Sequence, residues 1–208
     1  KAKASRIESE ILKELTADDV RLVLESQATV DATKTMNVVH TVEARKAFLD
    51  GLREHLALAA RARREGMGES EDFRLTCEYR KNTLLGELYF IKRHHDAKAD
   101  VGKGQFEISK EQVETLWNYP DNEKQFRREL EAIRAVQKFI ADSTENPFAV
   151  SGELQGEALE KTRKAWGKTK ILSDMAKADS EFINQRAVYL RLKIVEAGLL
   201  SSLYINKS

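Results

Sequence analysis

"ARKAFLDGLREHLALAARARREGMGES", Ala44 to Ser70, carries the two features that decide how this chain is read. Phe48, Leu52, Leu56, Ala59, Ala60 and Arg63 recur at spacings of three and four, with Leu49 beside them. That spacing predicts a helix with one apolar stripe. The other side is crowded with charge and ends in Arg61, Arg63 and Arg64. Such a cluster either grips nucleic acid or is the wet face of a packed helix. Glu65 follows Arg61 at intrahelical ion-pair spacing, which favours the second reading. Thr41 or Glu43 opens the helix, and Gly66 closes it as a C-terminal glycine.

Working outward, Ser70 caps a second long helix, "EDFRLTCEYRKNTLLGELYFIKRHH". Phe73, Cys77, Leu84, Leu88 and Ile91 line one side, with Leu85 and Tyr89 adjacent. The link is only about four residues, and a link that short returns the chain antiparallel. The expectation is a hairpin in which the Phe48–Leu52–Leu56 side packs against the Phe73 helix. Upstream, Ser5 to Glu14 reads as a short amphipathic helix carrying Ile7, Ile11 and Leu12. Thr16 is the N-cap of the next one, with Asp18 and Asp19 in the first turn, where negative charge suits the helix dipole. "TVDATKTMNVVHTV" (Thr29 to Val42) is the least periodic piece and reads as a connector, with Val38 and Val39 briefly extended.

Downstream, "DAKADVGKGQF" (Asp96 to Phe106) has two close glycines and reads as a linker. Ser109 and Gln112 stand at capping-box spacing before a short helix with Val113, Leu116 and Trp117. That helix stops at "NYPDN", because the residue before Pro120 is pushed out of helical geometry. Asp121 starts another, striped by Phe126, Leu130, Ile133, Val136, Phe139 and Ile140 and broken by "STENPFAVSG". Two long helices follow, roughly Leu154 to Ala178 and Ser180 toward Tyr204, divided at "KADSEF" as "GMGESEDF" divides the first pair. "LLGELYF" (Leu84 to Phe90) and "LLSSLYI" (Leu199 to Ile205) end the two pairs alike. The expected fold is all-α: two helical hairpins joined by shorter helices, with units at 1–95 and 109–208 and a linker over 96–108.

Composition agrees. Of 208 residues, 41% are hydrophobic and 33% charged, which suits helices with wide solvated faces. Ten glycines and two prolines are too few for the turns of a sandwich or barrel. A net charge of +1, from 35 basic and 34 acidic residues, argues against a dedicated phosphate-backbone binder. Lys161, Arg163, Lys164, Lys168 and Lys170 are dense, but Glu157 and Glu160 lead into them, as on a solvated face. No apolar run approaches a membrane span. The first residue is Lys1, which suggests a mature product or an excised fragment with any signal peptide gone from view.

No constellation for catalysis stands out, and no metal or cofactor is expected. Adjacent His94 and His95 diverge on a helix, and His40 and His55 lie apart from them. Cys77 is the only cysteine and falls on an apolar face, as a packed thiol would. "VGKGQ" lacks the preceding strand and following hydroxyl of a phosphate loop. More suggestive are Trp117, Tyr119, Phe126, Phe139, Phe148 and Trp166, all in the middle or second part. Most should be core, but linked hairpins leave clefts, and aromatics in clefts bind peptides or partner helices.

"LTADDVRLVLES" followed by the Ala44–Phe90 stretch resembles the helical N-terminal chaperone region of SurA-like, parvulin-type peptidyl-prolyl isomerases of bacterial envelopes. An Arg-x-x-Phe-Leu helix (Arg45, Phe48, Leu49), an Ala-Arg-x-x-Gly end (Ala62, Arg63, Gly66) and a second helix from Phe73 and Arg74 carry the resemblance, and "ISKEQVETLW" is similar to the segment after that family's first hairpin. It implies an envelope holdase, or the client-holding part of a foldase, that binds unfolded outer-membrane proteins in an apolar groove, with the six aromatics above as client contacts. The family's isomerase unit is not found here, and no catalytic residue carries over. It would lie beyond Ser208, or be lacking. A small-molecule substrate and nucleic acid are not expected, and a homodimer is possible. Two other classes stay open: a helical adaptor for one folded partner, and a nucleic-acid binder using the Lys161–Lys170 face.

Overall fold

The computed structural model describes residues 15–99, 108–143 and 156–207, and every element among them is a helix. In chain order these are α1 (Ala17–Val30), α2 (Ala32–Val39), α3 (Val42–Arg64), α4 (Glu71–Ala99), α5 (Lys110–Trp117), α6 (Asn122–Ser143), α7 (Gly156–Ala178), α8 (Ser180–Ile183) and α9 (Arg186–Lys207). The all-α class read from the sequence is what is found. The Ser5–Glu14 helix, the glycine-bearing part of the linker and the Pro147–Gly152 break lie outside the described residues.

Capping chemistry sets most boundaries. Thr16 and Asp19 form a reciprocal capping box at α1, and Thr41 Oγ1 accepts the Ala44 N–H at 3.0 Å to open α3. Gly66, at φ 75°, ends α3 with Met67 N–H returning to the Ala62 carbonyl, the left-handed turn that glycine adopts without steric cost. The connector expected over Thr29–Val42 is a correction: its middle is helix α2. Asp31 accepts the Lys34 N–H at 2.8 Å as its N-cap, and Thr35 Oγ1 donates to the Asp31 carbonyl. Side-chain caps thus make one short helix where hydrophobic periodicity is too brief to read.

Two compact units result, Lys1–Ser70 with Asn184–Ser208, and Glu71–Ile183. The grouping follows distant helix pairs and differs from the blocks 1–95 and 109–208. In the first unit α3 packs chiefly on α9, and α1 packs on α9 and α2. Within its own unit α3 has α9 as its chief partner, and within the other α4 has α7 and α6, pairings that the sequence reading did not include. The reason lies in the α3 surface. Ala59 and Ala62 are fully enclosed and Leu56 nearly so, a low face that lets another helix come close. Its partner α9 is apolar on most sides, burying Val188, Leu190, Ala197 and Leu200. Charged contacts fix the register. Arg63 pairs with Glu196, and Lys207 with Glu65 at 3.6 Å.

At the other end of α9, Arg186 Nε and Nη2 donate to Asp19 Oδ1 and Oδ2 at 2.9 and 3.1 Å. Asp19 Oδ2 also accepts the Thr16 N–H at 3.0 Å. The Arg186 guanidinium and the Thr16 amide hold this carboxyl well below its ordinary value of 3.8.

The second unit is α4 to α8, with α4 and α5 both against α7 and α6. Helix α4 meets α7 at Gly86, where a Cβ would stand 3.0 Å from the Thr169 carbonyl oxygen and 3.4 Å from Leu172 Cβ. One turn away, Ser173 Oγ donates to buried Asn82 Oδ1 at 3.2 Å. Farther along, Asp179 bonds Lys92 at 3.0 Å and caps the Phe182 N–H at 2.9 Å, beside an edge-on Tyr89–Phe182 pair.

Two outcomes are expected. Gly86→Ala forces α4 off α7 and destabilises by about 1–3 kcal/mol. Gly51→Ala in α3, where nothing lies within 4 Å of an added Cβ, stabilises by about 0.5–1 kcal/mol through helix propensity alone. Urea unfolding of the two variants checks the opposite signs. A carboxyl whose folded pKa is depressed contributes stability above the ordinary carboxylate range and loses it as pH falls. Asp19→Asn should therefore lower the melting temperature at neutral pH, and the gap from wild type should close on acidification from about pH 5 to about pH 2.

Candidate functional site

The six aromatics singled out in the sequence fall in the second unit or outside the described residues. Three of them meet where α5, α6 and α7 converge. Trp117 stands edge-on to Phe126 and to Trp166, with ring centroids at 5.2 and 6.1 Å, and Phe126 lies 5.5 Å from Trp166. Phe126 and Trp166 are buried, so they cannot touch a client directly. Trp117 is half-buried, and Arg163 lies 4.5 Å over its ring. Arg163 is held there by both Glu114 carboxylate oxygens at 3.2 Å and by Glu160 at 3.4 Å. Phe148 and the side chain of Phe139 lie outside the described residues.

Helix α5 is seated on α7 by a second close approach. A Cβ on Gly167 would stand 2.9 Å from Val113 Cγ1, so only glycine admits buried Val113 here. The Ser109–Gln112 capping box read from the sequence opens α5. Beyond its end, Tyr119 N–H bonds the Leu116 carbonyl, and Asn122 Nδ2 donates to the same carbonyl. Asp121 takes φ 71° so that the chain can turn into α6. This turn presents Tyr119 outward, 66% exposed.

Beside it lies an open recess of about 490 Å³ lined by Ser109, Glu111, Gln112, Thr115, Leu116, Tyr119 and Ile171. Leu116, Tyr119 and Ile171 give the lining its apolar surface, and Ser109, Thr115, Gln112 and Glu111 add hydroxyls, an amide and one carboxylate. Of the expected contact residues whose side chains are described, only Tyr119 lines this recess, and Trp117 follows its lining residue Leu116 on α5.

Sequence reasoning missed Glu129, under the aromatic cluster. It is 2% exposed. Trp166 Nε1–H donates to Oε2 at 2.7 Å, and Gln125 Nε2–H donates to Oε1 at 2.8 Å. Burial pushes its carboxyl above the ordinary 4.5, and the two hydrogen bonds oppose that rise. One signal could have revealed it: Glu129 falls three residues after Phe126 and four before Ile133, on the apolar face of α6.

Among the described residues no group of three His, Cys, Asp or Glu side chains gathers as a metal site. His40 and His55 each bond a carbonyl of the preceding turn, and Cys77 is buried. No described helix is long and apolar enough to cross a membrane. Comparison with protein-family models, with curated proteins and with solved structures finds no match in any of the three.

Gly167→Ala should push α5 off α7 and deform the recess, seen as a red-shifted tryptophan emission and a lower melting temperature. Val113→Ala in the same chain should recover most of both, because it removes the atom that clashes.

Proposed function

We propose that this chain is a polypeptide-holding chaperone unit of the bacterial envelope, or the client-holding part of a parvulin-type foldase. The observation that carries the reading is the recess of about 490 Å³ at α5, lined by apolar and polar side chains together, with an exposed tyrosine among them. Its volume suits an apolar side chain of an extended segment together with its flanking backbone. Leu116, Tyr119 and Ile171 would take the side chain. Ser109, Gln112 and Thr115 would pair with client amides, which relieves the cost of burying them. The aromatic cluster behind is a rigid support for that surface and not itself the contact. No bond is made or broken in this reading, and no cofactor enters it. The envelope setting and the outer-membrane clients come from the resemblance of Leu15–Phe90 to SurA-like proteins.

The test is light scattering of a chemically unfolded outer-membrane protein diluted with and without this chain, at low and high salt. Suppression at near-stoichiometric amounts that persists at high salt is expected, since apolar burial is not screened. Tyr119→Ser and Leu116→Asp should each weaken it several-fold while leaving the helical circular dichroism unchanged. Absence of suppression by the wild-type chain would overturn the reading.

A further inference from the structure

Glu129 is a carboxylate sealed in the second unit, and among the described residues no cation bonds it. The ionisable groups around it are mixed. From α4, Glu78 opposes its charge, and from α7, Lys170 favours it, but Lys170 bonds Asp174 at 2.8 Å. From α5, Glu114 is engaged by Arg163. On α6 itself, Glu123 and Arg127 pair with each other at 2.8 Å. What meets Glu129 directly is neutral: the Trp166 indole and the Gln125 amide.

We propose that Glu129 is a proton switch that sets how firmly α5 is seated, and through it the shape of the recess. With the proton on, Glu129 is a neutral member of the network. Trp166 Nε1–H still donates to one oxygen, and a turn of the Gln125 amide presents its oxygen to the carboxyl O–H, so the new donor finds an acceptor while the amide N–H turns away from Glu129. With the proton off, a full charge lies behind Trp166 and Phe126 with two neutral donors to offset its lost hydration. That strain falls on the contact of α6 with α7, where Trp117 of α5 is lodged. Burial raises the carboxyl's folded pKa, so the network's contribution to stability is full below the ordinary carboxylate range. It is lost as pH rises through the raised folded value. The unit is therefore tightest in mild acid and loosens toward neutrality. The consequence for clients, held more firmly in acid and released as pH rises, rests on the reading of the recess given above.

The two tryptophans of the chain, Trp117 and Trp166, both belong to this cluster, so intrinsic emission reports on it alone. The experiment follows emission of the full chain from about pH 4 to about pH 8. Wild type should show a one-proton transition centred above 4.5, and Glu129→Gln should hold the acid-form spectrum throughout. Trp166→Phe removes a donor that favours the charged form, so the transition, then read from Trp117, should move to higher pH. It also keeps Glu129 in place should the glutamine variant not fold. A transition that persists in Glu129→Gln, or no transition in wild type across this range, would overturn the switch. Scattering assays at about pH 4 and about pH 8, the two ends of the titration, add the client arm. Stronger suppression in acid for wild type, with no pH difference in Glu129→Gln, supports the link to the recess. Suppression independent of pH in wild type overturns that link. Failure to suppress at either pH overturns the chaperone reading, while the emission titration still decides the switch.

Discussion

The first unit depends on α9 lying against α3. Neither helix could bury its apolar surface alone, and the fit is possible because α3 presents alanine where most helices present larger side chains. Ala59 and Ala62 have no exposed surface at all. Burial of this kind has no direction of its own, so charges supply the register. Arg186 locks to Asp19 near the start of α9, and Arg63 reaches Glu196 further along. The basic cluster that ends α3 is therefore divided in purpose. Arg63 is drawn half into the protein by an intramolecular partner, and Arg61 remains on the exposed side.

The second unit solves the same packing problem with glycine. Helix α7 is approached on two sides at van der Waals limits, by α4 at Gly86 and by Val113 of α5 at Gly167. Each glycine gives up helix propensity so that a neighbour can come close. Tight contact on both sides leaves α7 little freedom to shift, and Trp166 of the aromatic cluster stands next to Gly167. The recess lies at the edge of this region, on the short helix least embedded in it.

Local chemistry was legible in the sequence, and pairing was not. Thr16, Thr41, Gly66 and the Ser109–Gln112 box act where their residue types and spacings placed them, because capping is decided within four residues. The Thr29–Val42 stretch was misread because Asp31 and Thr35 stabilise α2 through hydrogen bonds that leave no apolar period. The pairing of α3 with α9 was missed for a different reason: the matching faces lay more than a hundred residues apart. At the candidate site the aromatics were found by type. Their division into enclosed support and exposed edge was not, since Phe126 and Tyr119 look alike until the helices are assembled. Glu129 was hidden among the many charges of α6.

The order of the units along the chain has a consequence for how the protein is made. The second unit is one continuous stretch, whereas the first draws on both extremes, and its Asp19–Arg186 contact spans 167 residues. A ribosome delivers the chain from its N-terminus, so Glu71–Ile183 can be complete before α9 has emerged. Until then α1 to α3 wait with the Ala59–Ala62 face uncovered. During synthesis, then, this protein is itself for a time a chain with an unburied apolar helix.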